Sequence, residues 1–248
     1  MTSKSLSVII PAFNEEKNIR ATCEEVIRAV ERNVADYEIL VIDDASQDRT
    51  AEIVRGLQKQ NAKILLIQNP INRGLGYNYR IGVSKARCQY SIMVPGDNEM
   101  VGEALENIFM QMGSTDAIIC YSSNPEVRPH WRQFISKMFT GLLNILFGLK
   151  IRYYNGPSVI RTDMAKEYAP FTSSFAYMAV ILVQLLKSDA SYKEMTFTLR
   201  AREHGKTKAF RIKNVLSVMK GIVNLYWKVG IRRQFKRILV TPATAEPK

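Results

Sequence analysis

Two carboxylates stand one residue apart in the middle of the chain, directly after a short apolar run. Ser91–Val94 has the composition of a buried strand, Pro95-Gly96 breaks it, and Asp97 and Glu99 follow on either side of an asparagine. In open α/β sheets, ligands bind at the carboxyl ends of the strands. Carboxylate oxygens at such an end suit Mg²⁺ or Mn²⁺, hard cations that also coordinate phosphate oxygens. An acidic surface turn is the alternative interpretation, and the neighbouring clusters decide between the two.

Two more polar clusters come directly after predicted strands. Leu6–Ala12 and Tyr37–Ile42 are nearly continuous apolar runs, as buried parallel strands are, and Pro11–Glu15 and Asp43–Asp48 mark their carboxyl ends. These clusters would meet the central carboxylates at one edge of the sheet. The chain has no G-x-G-x-x-G after the first strand and no G-x-x-x-x-G-K-[ST]. We therefore expect a nucleotide bound without a glycine-rich cradle, its diphosphate held through a metal ion.

Strands alternate with helices through the first half of the chain. This alternation predicts an α/β fold with a doubly wound, mostly parallel sheet. It stops after Tyr121, and Tyr177–Leu186 is predicted to be a core helix. Strands are predicted at Leu6–Ala12, Tyr37–Ile42, Ala62–Gln68, Ser91–Val94 and Asp116–Cys120.

The helix starts in this half are predicted from capping residues. Asn14 is expected to cap the first helix, with Glu15 and Glu16 in its first turn, where the helix dipole favours acids. Ser46 or Asp48 is expected to begin the second helix. A turn is predicted over Asn72–Gly76 and a helix near Glu103–Met112.

The composition indicates a soluble or peripheral protein. At 248 residues with 46% hydrophobic residues, the chain can bury a sizeable core. Its three cysteines are far apart and form no C-x-x-C, which indicates reduced thiols in a cytosolic setting. No signal peptide is apparent, and the longest apolar runs are shorter than the ~20 residues that span a bilayer.

The net charge of +12 is concentrated near the end of the chain. Between Arg200 and Val240 there are twelve Lys and Arg residues against one acid, Glu203, so that this segment carries +11. Phe210–Leu239 is predicted to form a basic amphipathic helix or pair of helices that faces an anionic membrane surface. The alternative is a C-terminal helix that packs on the domain and leaves its basic face in solvent. Phe134–Leu149, which is apolar nearly all round, is either a core helix or an interfacial helix.

Three motifs in the first half of the chain resemble those of the family 2 inverting glycosyltransferases, which have the Rossmann-like GT-A fold. The motifs are V-I-I-P-A-F-N-E-E-K-N-I, I-L-V-I-D-D-A-S-Q-D-R-T and N-R-G-L-G. Within the family, residues 5–210 look most like the dolichol- or polyprenyl-phosphate mannosyltransferases. The resemblance implies a GT-A domain over 1–208, with a nucleotide half over 1–99 and an acceptor half over 100–208. Membrane-facing helices would follow over 209–240 and a disordered tail over 241–248.

The resemblance also implies roles for single residues. Asp97 would be the metal-binding acid of the family's D-x-D, and since Pro95 replaces the first acid, metal binding would rest on Asp97 and Glu99. The segment R-E-H-G-K-T-K resembles the R-x-x-G-x-[ST]-K loop of the polyprenyl-phosphate enzymes, with Arg202 as a catalytic cation beside Asp97. The acceptor phosphate would contact Arg202, Lys206, Thr207 and Lys208. The nucleotide sugar would contact Pro11, Phe13, Glu15, Asp43, Asp44, Arg73, Gly74 and Asp97.

The expected activity is inverting transfer of a hexose from a nucleoside diphosphate sugar to a polyprenyl or dolichyl phosphate, assisted by Mg²⁺ or Mn²⁺. The donor would be GDP-mannose or UDP-glucose. A phosphate monoester is already anionic at neutral pH, and Thr172–Tyr177 has no carboxylate where relatives that glycosylate hydroxyls have an acidic pair. The enzyme is expected to be cytoplasmic and peripheral on the cytosolic face of a membrane, with a membrane subunit as a further partner.

Two alternatives use other parts of the chain. A glycan-extending enzyme of the same family would need a general base, for which Asp163, Glu167 and Glu99 are candidates. A nucleic-acid-binding protein would use the basic C-terminal segment, but its charges would have to line a groove with stacking aromatics. Tyr226 and Trp227 instead fall among apolar residues at helical spacing, so no nucleic-acid partner is expected.

Overall fold

The fold is taken from a computed structural model of the chain. The structure describes residues 4–169, 176–200 and 212–231. Three predictions fall outside these residues: the acceptor loop from Arg202 to Lys208, the acid-free segment Thr172–Phe175 and the tail over 241–248.

A mostly parallel sheet forms the centre of the described chain. Its strands are β1 (Ser5–Ala12), β2 (Asp36–Asp43), β3 (Ile64–Gln68), β4 (Tyr90–Met93), β5 (Ala117–Ser122), β6 (Ser158–Arg161) and β7 (Tyr192–Phe197). Their order is β3-β2-β1-β4-β6-β5-β7, and among them β6 alone runs antiparallel to its neighbours. The predicted α/β class and mostly parallel sheet are confirmed.

Helices cover both faces of this sheet. They are α1 (Ile19–Asn33), α2 (Thr50–Gln60), α3 (Leu75–Lys85), α4 (Gly102–Met110), α5 (His130–Phe147), α6 (Thr162–Glu167), α7 (Tyr177–Lys187) and α8 (Ile212–Leu225). A 3₁₀ turn over Pro125–Val127 precedes α5, and a π-helical turn over Tyr226–Ile231 follows α8. Side chains of α1, α2 and α4 form one apolar core. Those of α3, α5, α6, α7 and α8 form a second core on the opposite face, so the sheet is doubly wound.

The predicted starts of the first two helices need correction. The helix α1 begins at Ile19, so Asn14 does not cap it and its first turn contains no acid. Asn14 instead has φ = 57° in the loop before the helix. The helix α2 begins at Thr50 with Arg49 in the capping position, so neither Ser46 nor Asp48 caps it, although the Thr50 backbone N–H donates to Asp48 Oδ1. Both loops are longer than the capping pattern predicts because their polar groups bond to each other.

The strands β6 and β7 were not predicted. The strand β6 has four residues, and β7 (Y-K-E-M-T-F) is a partly exposed strand at the edge of the sheet, so neither shows a buried apolar run. The turn into β6 contains Gly156, where an added Cβ would overlap with the carbonyl of Cys120. Only glycine allows this close approach of two backbones.

The two long apolar helices differ in burial. The predicted core helix is confirmed, since eight of the eleven residues of α7 are buried. In α5, by contrast, only Thr140, Leu143 and Phe147 are buried. Within the described ranges, none of the helices is both long enough and apolar enough to cross a membrane. The thiols of Cys23, Cys88 and Cys120 are free, as predicted.

Candidate active site at the carboxyl edge of the sheet

The carboxyl ends of β1, β2 and β4 lie side by side, because these strands are parallel neighbours. Ala12 pairs with Asp43 at the ends of β1 and β2, and the Asp44 N–H donates to Ala12 O over 2.8 Å. On the other side of β1, the Gly96 N–H donates to Pro11 O over 3.1 Å. The structure therefore brings the polar clusters that follow these strands to one edge, as the sequence predicts.

The loops after β1 and β2 are joined by hydrogen bonds. The Glu15 N–H donates to Thr50 Oγ1 over 2.8 Å, and the Glu16 N–H donates to Asp48 Oδ2 over 3.1 Å. The Thr50 N–H and hydroxyl both donate to Asp48 Oδ1. Burial raises the pKa of Asp48, but the hydrogen bonds from Thr50 and Glu16 outweigh it and hold the pKa below its usual value. This network fixes the segment that carries Phe13 and Glu15, both half-buried.

Asp44 is buried beneath the loop that follows β3, with 3% of its surface exposed. Its Oδ1 accepts from Asn69 Nδ2 and from the Arg73 N–H, each over 2.8 Å. Its Oδ2 accepts from the Gly74 N–H over 2.9 Å. Gly74 has φ = 85°, which glycine adopts without strain. A carboxylate has about four acceptor positions, so Asp44 holds the N-R-G loop in place and keeps acceptor capacity for a ligand.

Asp43 is buried beside it and is supported by the end of β3. Its Oδ1 accepts from the Ser46 N–H and its Oδ2 from Gln68 Nε2, each over 3.0 Å. Gln68 is the last residue of β3 and Asn69 follows it, so both acids of the pair are held from the same place. Sequence analysis assigned no role to Gln68 or Asn69, although polar residues directly after an apolar run are the signal that identified the other clusters.

The turn from Asp97 to Glu99 follows β4 and contains three side chains whose oxygen atoms can coordinate a cation. Asn98 has φ = 56°, and the Glu99 N–H donates to Asp97 Oδ1 over 3.4 Å. Asn98 Oδ1 is buried and has no hydrogen-bond partner within the part of the chain that the structure describes. Carboxylate and amide oxygens are suitable ligands for Mg²⁺, which completes its coordination with water and substrate phosphates. The turn therefore fits the predicted cation.

A cation at this turn would not be enclosed by protein side chains alone. Across residues 4–169, 176–200 and 212–231, no group of three or more His, Cys, Asp or Glu side chains is arranged to hold a metal ion. Sites that share their cation with a phosphate substrate characteristically use one or two carboxylates. Asp97 and Glu99 match that smaller ligand set.

The chain returns to this turn just before the basic segment. After β7, Leu199 forms an antiparallel bridge with Met100, and the Arg200 N–H donates to Glu99 O over 2.7 Å. The Arg200 guanidinium also lies 3.5 Å from Glu25 Oε1 on α1. Sequence analysis missed this junction because a single bridge has no periodic pattern. The proposed acceptor ligands Arg202, Lys206, Thr207 and Lys208 continue the chain from here, outside the described residues.

Two of the general-base candidates lie at the other end of the sheet. Because β6 is antiparallel, its last residue, Arg161, pairs with the first residue of β4. Asp163 forms an exposed ion pair with Arg161, with 2.6 Å between Oδ2 and Nη2. Lys166 on the same short helix donates to the Ala86 carbonyl, which precedes β4. The expectation that Asp163 or the neighbouring Glu167 could act as base at the site is therefore wrong.

Two arginines in the segments that follow β5 contact aromatic side chains. The Arg152 guanidinium lies 4.7 Å from the centre of the Tyr121 ring and donates to its hydroxyl. Arg128 Nη1 donates to the Tyr153 hydroxyl over 3.0 Å. The sequence analysis did not single out these cations, because their aromatic partners are 25 or more residues away along the chain.

Curated proteins similar to this chain include several named glycosyltransferases. The chain is 37% identical over 97 residues to the dolichyl-phosphate beta-glucosyltransferase ALG5D of Trichomonas vaginalis. This alignment covers 37% of this chain and 30% of that protein. It is 26% identical over 207 residues to the low-salt glycan biosynthesis hexosyltransferase Agl6 of Haloferax volcanii. This alignment covers 80% of this chain and 48% of that protein. The chain thus spans less than half the length of these relatives.

Solved structures share the fold at low sequence identity. Glucosyl-3-phosphoglycerate synthase from Mycobacterium tuberculosis, in complex with UDP, superimposes with a TM-score of 0.64 at 15% identity, over 92% of this chain and 81% of that chain. TarS from S. aureus, in complex with UDP-GlcNAc, gives a TM-score of 0.64 at 17% identity. This superposition covers 94% of this chain and 68% of the TarS chain. These likenesses support the GT-A fold class that the sequence predicts.

The family itself is shown by a sequence model. The model described as glycosyl transferase family 2 matches residues 7–172, well over half of the chain. The match includes the ends of β1, β2 and β4 and the loops that meet there. With the fold and this match in agreement, the chain belongs to glycosyltransferase family 2.

Proposed function

We propose that the chain is a hexosyltransferase that transfers a sugar, with inversion, from a nucleoside diphosphate sugar to a polyprenyl or dolichyl phosphate. Family membership supports glycosyl transfer, and relatives named dolichyl-phosphate beta-glucosyltransferases support a lipid phosphate as acceptor. Their names favour UDP-glucose as donor, whereas the motif resemblance is to enzymes that use mannose. UDP-glucose and GDP-mannose are therefore the two donors proposed.

The donor would bind across the edge where the three loops meet. Asp44 retains acceptor capacity that suits a ring N–H of a nucleotide base, and Asp43 lies beside it. The loop that carries Arg73 is held by its own backbone N–H groups on Asp44, so its placement depends on that carboxylate. The proposed donor contacts are Pro11, Phe13, Glu15, Asp43, Asp44, Arg73, Gly74 and Asp97.

Asp97 and Glu99 would hold Mg²⁺ or Mn²⁺ at the donor diphosphate. When bound there, the cation would neutralise charge that develops on the departing diphosphate. The side-chain oxygens of the Asp97–Glu99 turn, including the buried and unsatisfied Asn98 Oδ1, support this assignment. Solved structures of the same fold contain Mn²⁺ or Mg²⁺ together with UDP.

In the proposed reaction, an oxygen of the lipid phosphate attacks the anomeric carbon from the face opposite the donor diphosphate. A carbon–oxygen bond forms to the lipid phosphate as the bond to the donor diphosphate breaks, and the diphosphate leaves with the electron pair. No proton has to be removed, because the second pKa of a phosphate monoester is ~6. The position of Asp163 at the opposite end of the sheet supports this choice, because a hydroxyl acceptor would need a base near the sugar and Glu99 alone of the three candidates lies at the site.

The acceptor phosphate would be bound by the basic segment after β7. The hydrogen bond from the Arg200 N–H to Glu99 O supports this, since the segment starts beside the turn that would hold the cation. Arg202 would offset negative charge shared by the donor and acceptor phosphates. Because the lipid tail stays in a bilayer, the protein would work as a peripheral protein on an anionic membrane surface at the cytosolic face, alone or with a membrane subunit.

A transfer assay with soluble acceptors tests the proposal. Purified protein is incubated with Mn²⁺, labelled UDP-glucose or GDP-mannose, and either a short-chain prenyl phosphate or a free sugar. We expect label on the prenyl phosphate and none on the free sugar. Label on the free sugar alone would instead identify a glycan-extending enzyme, with Glu99 as the remaining candidate base.

A further inference from the structure

Two helices of the second core expose long apolar stripes. On α5 the exposed side chains are Trp131, Phe134, Ile135, Met138, Leu142 and Ile145. On α8 and the turn that follows it they are Leu216, Met219, Val223, Tyr226 and Trp227. The most exposed of them, Ile145, has 83% of its surface accessible. Apolar area of this extent on a soluble monomer characteristically marks an interaction surface.

Each stripe runs along one side of its helix. In both helices the exposed residues recur at spacings of three and four, so they form a continuous line, while the opposite side packs on the core. Ile222, Leu225 and Val229 hold α8 to that core. The helices meet where the Phe147 ring lies 6.3 Å from the Tyr226 ring. The end of α5 and the turn after α8 are thus in contact, so the two stripes lie on neighbouring helices of one face of the sheet.

The segments that carry the stripes contain charges of one sign. No Asp or Glu occurs between Arg128 and Thr162 or between His204 and Ala245, so neither helix contains an acid. Lys137 lies on α5 and Lys220 on α8. Apolar residues beside basic ones, without acids, match a surface that has an apolar interior and an anionic boundary.

Both tryptophans of the chain lie on these stripes. The sequence contains two tryptophans, and Trp131 and Trp227 expose 51% and 56% of their surfaces. Tryptophan is enriched at membrane–water interfaces because its ring is apolar and its N–H can remain hydrated. The position of both tryptophans on the exposed stripes therefore favours a lipid bilayer as the partner of this surface.

We propose that the α5 and α8 stripes insert together into the headgroup and acyl boundary of an anionic phospholipid bilayer. This inference rests on the proposed lipid phosphate acceptor and adds the surface that would bring the site to the headgroup plane. A second copy of the chain is a poorer occupant. A two-fold contact would bring the basic side chains of both copies into one interface, with no acid on either helix to pair with them.

The two tryptophans allow a direct test without added probes. Tryptophan emission is recorded with vesicles of phosphatidylcholine and of phosphatidylcholine mixed with phosphatidylglycerol. We expect a blue shift with the anionic vesicles and quenching by lipids brominated near the headgroup. The variants Trp131→Phe and Trp227→Phe each leave one emitter, and both should still respond if the two stripes insert. No shift with either vesicle, or a response from one emitter alone, would overturn the joint insertion.

A matched pair of variants tests the apolar contact itself. Ile145→Gln removes an exposed apolar side chain from the stripe, and Met110→Gln removes one with 53% exposure on α4, on the opposite face of the sheet. We expect Ile145→Gln to weaken vesicle binding about tenfold or more, as the burial of one large aliphatic side chain implies. Met110→Gln should bind like the wild type. Equal effects of the two variants would contradict a specific inserting surface.

Two further results separate this inference from its rivals and from the proposed function. Dimerisation without lipid that Ile145→Gln abolishes would assign the stripes to a second copy, and binding only to vesicles that contain another membrane protein would assign them to a subunit. Transfer to a water-soluble prenyl phosphate is measured in parallel and should be unchanged in Ile145→Gln. If the wild type binds vesicles but transfers no sugar, the proposed function is wrong and the membrane-inserting surface is still supported.

Discussion

The variant Asp44→Asn tests how the N-R-G loop is held. The substitution replaces one carboxylate oxygen by an amide group of nearly the same shape. The amide oxygen can keep the two donors of Oδ1, Asn69 Nδ2 and the Arg73 N–H, but the new NH₂ group then faces the Gly74 N–H, which it cannot accept. A hydrogen bond to a charged group contributes about 1.5–3 kcal/mol. The loss of this bond, with the weakening of the other two, should lower the free energy of unfolding by about 2–3 kcal/mol.

Calorimetry without ligand measures this effect directly. For a chain of this length, 1 kcal/mol corresponds to about 2–4 °C in Tm, so Asp44→Asn should melt about 4–12 °C below the wild type. Asp163→Asn is the matched control, because its carboxylate forms an exposed ion pair, which is worth about 0–1 kcal/mol. Asp44→Asn should also bind UDP or GDP more weakly, since the loop is no longer fixed. Equal melting temperatures for the two variants would refute the role of Asp44 as the support of this loop.

The remaining predictions concern the cation, the basic segment and the stability of the fold at acid pH. Asp97→Asn should abolish transfer and the Mn²⁺-dependent thermal stabilisation by nucleoside diphosphate while leaving the ligand-free Tm unchanged; turnover that persists with EDTA would contradict the metal assignment. Arg202→Ala should lower kcat more than nucleotide affinity, and Arg202→Lys should restore little, because an ammonium cannot copy the guanidinium fork; an equal loss in both quantities would argue against action on developing charge. Asp48 has a folded pKa below its unfolded value, so its stabilisation is present above about pH 4 and is lost as the pH falls through the folded pKa. Urea unfolding should therefore show Asp48→Asn clearly destabilised at pH 7 and closer to the wild type at pH 2.5; a difference that is the same at both pH values would contradict the shift.

The features that the sequence predicted are those that depend on short stretches of chain. An apolar run that ends in polar residues identifies both a buried strand and the position of its carboxyl end. For this reason the sequence alone places the clusters at Pro11–Glu15, Asp43–Asp48 and Asp97–Glu99 on one edge of the sheet. The core helix α7 was predicted on the same local basis.

The features that were missed depend on contacts between distant residues. The carboxylate of Asp44 is bonded to groups 25 to 30 residues further along the chain, and Leu199 pairs with the distant Met100. The direction of β6 is set by its pairing with β4 and β5, and that direction decided the position of Asp163. The local capping pattern at Asn14 was misleading because its loop bonds to the loop after β2 instead of starting a helix.

The chemical bond in the product tests the central claim most directly. The wild type is supplied with its α-linked donor, UDP-glucose or GDP-mannose, and a short-chain prenyl phosphate, and the purified product is examined by ¹H, ¹³C and ³¹P NMR. The account predicts a phosphodiester in which the sugar is attached through its anomeric carbon to the prenyl phosphate with β configuration. An α-linked product would contradict inversion, and a sugar attached to a hydroxyl in place of the phosphate would contradict the proposed acceptor.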